Sequence, residues 1–448
     1  MNRFRCTHAL SRWLAVLLLF PLPSLPARSN PDADALEARI AELEAELAEA
    51  RHRLDQVRRW PAESALPQDT GTSPDGEPPA LPRDPFGGRL RIGGAVRVNY
   101  AIGSYGEATG APSPARSDGG NFSLDTFRVN VAYDADAFNA RFEYRFFDGY
   151  HFLHTAYAGW ALSGGAEMRL GVHRVPFGPG PYGVSQSWFF DQHYYLGLAD
   201  DMDLGIAYSG QLEDWDFDIA FYLRDEGSYA GNSRKSARYS YDVVNESGRG
   251  YEERNQMNLR MRRTFAHREG ETVAGFSAQY GELRSKGSAK GGDHYAGSIH
   301  FVHQRRAWTL AAQLTRYTYR VDAAQPLGTA ALVQFGAYDF PNTVAAKGWI
   351  PAISLSYRWQ ADALGWLDSV TPYIEYSSVR KRAKGFNDSQ LFIIGAAWAR
   401  GGWYIYTDVA LSDGNEFVGG ETAFGDRLGA NADNRWQHRL NINFGYYY

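Results

Sequence analysis

In the stretch FNARFEYRFF, Phe138 to Phe147, every second residue is apolar. Phe138, Ala140, Phe142, Tyr144 and Phe146 share one face of an extended chain, while Asn139, Arg141, Glu143 and Arg145 share the other. A helix would scatter both sets around its axis, so this period requires a strand. The closing WQHRLNINFGYYY repeats it, with Trp436, Leu440, Ile442, Phe444, Tyr446 and Tyr448 set against Gln437, Arg439, Asn441 and Asn443. Sixteen such segments can be read, at about 89–102, 122–134, 138–147, 151–162, 166–175, 203–212, 215–224, 254–265, 272–284, 294–303, 307–319, 349–360, 370–380, 389–399, 402–411 and 435–448.

A soluble sandwich also alternates, so the connections decide the environment. Those after the odd-numbered strands are mostly long and polar, such as 103–121, 176–202, 225–253, 320–348 and 412–434. The others are short: Ala135 to Ala137, Ser163 to Gly165, Glu213 and Asp214, Gln304 to Arg306, and Arg400 and Gly401. An even strand count, long loops on one rim and short turns on the other describe a bacterial outer-membrane barrel with both ends in the periplasm. Segments of about ten residues match a bilayer crossed at a tilt. Tyr100, Tyr133, Trp160, Tyr208, Trp215, Trp308, Tyr319, Trp349, Trp359, Trp403 and Trp436 lie at strand ends, where interfacial girdles form. The expected fold is therefore all-β, a 16-stranded antiparallel transmembrane barrel over residues 87–448, surrounded by outer-membrane lipid.

Three further segments precede it. Residues 1–27 read as a signal peptide, with Arg3, Arg5 and Arg12 before the apolar run WLAVLLLFPL. Across 34–59, Ile40, Leu47 and Leu54 fall at a and Leu36, Leu43, Ala50 and Val57 at d of a heptad, a short periplasmic coiled coil or a lone solvated helix. Residues 60–86 form a linker, with seven prolines between Pro61 and Pro85.

Several chemistries are excluded. The single cysteine, Cys6, leaves with the signal, so no thiol nucleophile, disulfide or thiolate metal site is available. A net charge of −5 gives no general attraction for nucleic acid. Gly178, Gly180 and Gly183 spell GxGxxG, but Pro179 and Pro181 remove the amides a phosphate would need. No catalytic motif, metal-binding spacing or cofactor site is legible, so neither enzyme activity nor a cofactor or metal is expected.

The stretch RLGVHRVPFG, Arg169 to Gly178, is similar to the glycine, basic residue, valine, Pro-Phe-Gly pattern of the phosphate-selective porin O and P family, and YYLGLADDMDLGI, Tyr194 to Ile206, is a second point of likeness. The resemblance spans the barrel and its signal, coiled-coil and linker preface. It implies a homotrimer of sixteen-stranded channels, phosphate among the solutes, and ion transport. The terminal aromatic Tyr448 resembles the signal read by the barrel-assembly machinery.

With the apolar face in lipid, the lumen receives Arg89, Arg91, Arg97, Arg128, Arg141, Arg145, Arg169, Arg224, Arg260, Arg262, Arg358 and Arg439. Against them stand Glu143, Glu167, Asp216, Asp218, Glu375 and Asp408. This excess favours passive diffusion of small hydrophilic solutes with a weak preference for anions, since guanidinium forks match phosphate and carboxylate. The constriction is expected at Arg128, Arg141, Glu143, Arg145, Arg169, His173, Arg260, Arg262 and Arg358. Pro176 ends the fifth strand, and with Phe177 and Gly178 it turns the third long loop inward. That loop carries Trp188, Tyr194 and Asp201, whose aromatic neighbours support the alternative of a carbohydrate or small organic-solute channel.

Overall fold

In the computed structural model, residues 88–105, 119–246, 248–361, 364–419 and 427–448 are described. The expected signal, coiled coil and linker lie outside them.

Sixteen long strands follow one another around a closed ring: β1 Arg89–Gly103, β2 Asn121–Ala135, β3 Phe138–Phe146, β4 His151–Ala161, β5 Glu167–Arg174, β6 Met202–Leu212, β7 Trp215–Asp225, β8 Gly250–His267, β9 Gly270–Lys286, β10 Gly292–Arg305, β11 Trp308–Arg320, β12 Lys347–Tyr357, β13 Ser369–Lys381, β14 Ser389–Arg400, β15 Trp403–Asp413 and β16 Gln437–Tyr447. Each pairs antiparallel with its neighbours, and Trp359–Gln360 continue the pairing of β12 with β13 past a break at Arg358. The ring closes where β16 meets β1, in register from Ala95 opposite Tyr447 to Gly103 opposite Arg439. Closure leaves no edge strand to attract another chain.

The pleat sets the two faces. On β3, Phe142 and Phe146 are exposed while Glu143 and Arg145 are buried; on β16, Leu440, Phe444 and Tyr446 are exposed while Arg439, Asn441 and Asn443 are buried. Ile92, Leu170, Ile219, Ile299, Ile353 and Ile394 continue the apolar exterior around the ring. Polar inside and apolar outside is the reverse of a water-soluble protein, and an apolar band of this extent belongs in hydrocarbon. Tilted or edge-on aromatic pairs line the short-turn end: Phe138 with Trp160 at 5.7 Å, Trp308 with Tyr357 at 4.8 Å and Trp403 with Tyr446 at 5.0 Å between ring centres. Tyr319 departs from the expected girdle. It points into the lumen, only 3% exposed, and donates to the Leu196 carbonyl at 3.1 Å.

The long loops fill the upper half of the barrel. Leu332–Ala337 and Phe340–Ala345 form a hairpin, joined by Asp242–Val243 into a three-stranded sheet inside the mouth. Val243, Val333, Phe335, Ala337 and Val344 are buried there against Tyr194, Tyr195, Tyr239 and Tyr241. The hairpin turns on Tyr338 and Asp339, both with positive φ, at 50° and 67°.

Candidate functional site in the barrel lumen

Residues 175–201, between β5 and β6, cross the lumen. Gly178, at φ 70°, donates its amide to Ser277 Oγ of β9 at 3.0 Å, and an added Cβ would press into the Gln313 side chain at 2.9 Å. Further along, Ser185 Oγ donates to Glu375 of β13 at 2.7 Å, and the Gln186 amide donates to the same carboxylate. The Trp188 amide reaches Asp408 of β15 at 3.2 Å, and Arg439 of β16 stacks over the Trp188 ring at 4.9 Å. Asp191 organises the return by accepting from the amides of Val184 and His193, each at 2.8 Å. Pro176 and Phe177 are buried at the start of the crossing, and Tyr194 and Asp201 at its end.

Among the described residues, two cavities beside this loop lie against the wall of β1 to β5. The upper lies between Arg97, Arg128 and Arg145 on the strands and Trp188, Phe190, Tyr194, Tyr239, Tyr338 and Phe417 on the loops and has about 50 Å³ of room for water. The lower, with about 460 Å³ of room for water, is lined by Arg91, Arg141, Arg169 and Arg174 with Glu143, Glu167 and His173. Taken together the two walls hold seven arginines, against Asp125, Asp148, Glu143 and Glu167.

The boundary between the cavities is an ion cluster. Arg145 Nε donates to Glu143 Oε1 at 2.5 Å, Arg128 lies 3.7 Å from the same oxygen, and Asn130 donates to Oε2 at 2.7 Å. Arg128 and Arg145 face the upper cavity and Glu143 the lower. Arg145 also stacks 4.4 Å over Tyr239, whose hydroxyl donates to Asp200 at 2.5 Å; Asp200 in turn accepts from Arg174 at 2.8 Å. Of the arginines lining the lower cavity, Arg91 and Arg141 pair with Asp134 at 2.8 and 2.6 Å, and Arg169 with Glu167 at 2.6 Å. His173 is buried, with its Nδ1 3.2 Å from the Tyr222 hydroxyl.

The structure thus brings Arg128, Glu143 and Arg145 together and places Arg141, Arg169 and His173 below them. Arg260 lies on β8, paired with Asp218 at 2.8 Å, and Arg262 lies opposite Asp216; Arg358 sits at the break in β12. These three line neither cavity. Arg224 lies above the wall at the long-loop rim, where it shares a smaller hollow with Lys235 and Arg238. Asp125, Arg174, Tyr239, Tyr338 and Phe417 join the site without a sequence reading, because they come from a wall position and a strand end passed over, or from loops read only as long and polar.

Where the third loop rejoins β6, carboxylates crowd around one cation. Arg238 is buried and contacts Asp242 at 2.6 Å, Asp225 at 3.0 Å and Glu226 at 3.6 Å. Asp201, Asp203 and Asp242 have oxygens within 4.8 Å of one another, the one group among the described residues spaced to hold a metal ion, and oxygen donors of this kind suit a hard cation. Burial, then the neighbouring carboxylates, pushes Asp201 and Glu226 well above the usual carboxylate range. Asp242 is raised as well, burial outweighing Arg238. Burial likewise raises the hydroxyls of Tyr194, Tyr239 and Tyr241, so they stay neutral hydrogen-bonding groups.

No protein-family model matches the sequence, and no curated protein matches it. Solved structures do. The outer membrane channel DcaP of Acinetobacter baumannii superimposes with a TM-score of 0.52 at 11% identity, covering 82% of this chain and 99% of that one. The outer-membrane expressed OmpT of Vibrio cholerae gives 0.50 at 13% identity, covering 82% and 100%. At such identities the likeness is one of fold: the chain is a closed 16-stranded antiparallel β-barrel.

Proposed function

We propose that the protein is an outer-membrane porin through which small hydrophilic solutes diffuse passively, with a weak preference for anions. The observation that carries this reading is the arginine-rich wall common to both cavities, seven guanidinium groups whose carboxylate partners, Asp125, Asp134, Glu143, Glu167 and Asp200, are fewer. A solute following that wall meets guanidinium groups in succession, each able to exchange its carboxylate partner for a passing anion. The short-turn rim then faces the periplasm, and the channel works as a trimer in a lipid bilayer, the arrangement that the resemblance to the phosphate-selective porins implies. Phosphate belongs among the solutes tested first.

The reversal potential across a salt gradient in a planar bilayer tests the proposal. Wild-type protein is expected to favour anions, and an Arg128→Gln, Arg145→Gln pair to lose that preference. A clear cation preference in the wild type would sink it.

A second reading draws on the aromatic side of the upper cavity, where Trp188 and Phe190 are only partly buried. Ring faces there suit sugars or small organic solutes. Current block by a sugar that disappears in Trp188→Ala favours this reading, and block that persists argues against it.

A further inference from the structure

The outward face of β11, β12 and β13 carries an ordered sequence of layers. Trp308 and Tyr357 form the aromatic edge near the short turns, and Leu310 with Leu355 and Ile353 with Ala312 follow as apolar rows. Leu314, Ile353 and Ile374 are 39%, 47% and 43% exposed, so this stretch meets acyl chains. The next outward row is Arg316, Trp349 and Arg380, directly opposite one another on the three strands and all exposed. Lys347 and Arg382 extend it toward the long-loop rim, their strands joined by a bond from the Arg382 amide to the Lys347 carbonyl, and exposed Lys384 follows.

Position fixes what these cations meet. Arg316 is eight residues beyond Trp308, about 27 Å along the strand, which at a tilt near 40° is roughly 21 Å of height. An apolar band of such a barrel is about 25 Å tall. The cation row therefore caps the hydrocarbon at the leaflet on the long-loop side, and Trp349 sits in it as an interfacial anchor. Arg316 stacks over Trp349 at 5.7 Å, which holds its guanidinium at this level.

The charges are also poorly compensated. Arg380 has Asp388 at 3.0 Å, but Arg316, Lys347, Arg382 and Lys384 have no carboxylate within ion-pair distance among the described residues. The neighbouring rim differs. There Arg254 and Lys286 share Glu252 at 3.0 and 3.6 Å, and Arg320 has Asp293 at 2.6 Å. Unneutralised cations on a lipid-facing wall, directly above exposed aliphatic side chains, match a ligand with phosphates on its head and acyl chains below.

We propose that this face binds a phosphorylated glycolipid of the leaflet at the long-loop rim, its phosphates held by Arg316, Lys347, Arg380 and Arg382 and its chains lying on Leu314, Ile353 and Ile374. The inference rests on the membrane-barrel reading above and is independent of which solute the lumen passes.

Native mass spectrometry of the folded protein, offered diphosphorylated lipid A or its dephosphorylated form, reads the site. Wild-type protein is expected to retain the phosphorylated lipid at least tenfold better. In the triple variant Arg316→Gln, Lys347→Gln, Arg382→Gln the two lipids should be retained alike. Arg254→Gln with Lys286→Gln, on the paired part of the rim, should behave as wild type. Heat-dependent gel mobility confirms that each variant has a closed barrel, which these exposed substitutions leave intact. Equal retention of both lipids by the wild type, or a preference that survives in the triple variant, overturns the proposal. So does a triple variant whose only change is its oligomeric state, since the face would then contact a second copy of the chain. Inorganic phosphate binding as tightly as the lipid would overturn the lipid assignment. Bilayer conductance of the same samples reads the channel separately, so a protein that fails to conduct leaves the lipid result standing.

Discussion

Glu143 holds more of the lumen in place than any other single carboxylate along the arginine wall. It accepts from Arg145 and Asn130 and lies within ion-pair reach of Arg128 and His154, all inside the barrel. Removing one partner of a buried ion pair leaves the other charge uncompensated, at a cost of about 3–5 kcal/mol. Glu143→Gln is accordingly expected to lower the unfolding free energy in denaturant by that order while freeing two guanidinium groups, which moves the reversal potential further toward anions. An unmoved reversal potential would separate Glu143 from the solute path. Alternation alone exposed Glu143 and Arg145 to a reader of the sequence, because a period of two assigns each residue a face. Tyr338 gave no such signal. A two-residue hairpin turn with both φ values positive normally uses Asn-Gly or Asp-Gly, and Tyr-Asp hides it. The strained tyrosine is kept where its hydroxyl meets that of Tyr194 and its ring closes the upper cavity. Substituting glycine relieves the backbone but deletes a buried ring, so Tyr338→Gly should destabilise the loops by about 3 kcal/mol and raise single-channel conductance; unchanged conductance would remove Tyr338 from the constriction.

All sixteen strands were legible because membrane, wall and water impose one repeating requirement on each. Their ends were less so: β8 runs over Gly250–His267, well beyond the 254–265 stretch that alternates, because pairing continues above the bilayer where no apolar face is needed. Residues 332–345 read as loop for a related reason, since a hairpin buried among other loops has no lipid side to mark it. Pro176 to Gly178 mark where the third loop turns inward, but the polar contacts with β9, β13 and β15 that hold it across the lumen leave no local pattern. Its attachment to the carboxylate cluster has a pH consequence. Asp201, Glu226 and Asp242 hold protons above their ordinary values of 3.8, 4.5 and 3.8 when packed with Asp203, Glu253 and Arg238. Raised acids favour the packed state fully below those ordinary values, and that support is lost as pH rises through the raised ones. Above the ordinary carboxylate range the raised groups decide, so residues 175–201 and 226–246 should lose protection against backbone hydrogen exchange as pH rises, once the base-catalysed rise of the intrinsic rate is divided out. Asp242→Asn should flatten that loss, and protection that does not change with pH in the wild type would contradict it.

At the scale of the molecule, a chain of net charge −5 with 15% aromatic residues builds a polar lumen inside an apolar shell. Ile299, 63% exposed near the middle of β10, tests which medium surrounds it. Ile299→Arg is expected to cost about 2–4 kcal/mol when the barrel is folded into vesicles, as a cation near the bilayer midplane does. A variant as stable as the wild type would place that face in water. The crossing loop bears on how such a shell is assembled. The seam of β1 and β16 joins Asn99 to Asn443, 344 positions apart, and contacts so distant in sequence form late. Yet the loop is fastened to Asp408 of β15 and lies beneath Arg439 of β16, strands on the closing side of that seam. It must already lie across the opening when the last strands zip together, so the plug is enclosed during biogenesis rather than threaded into a finished pore.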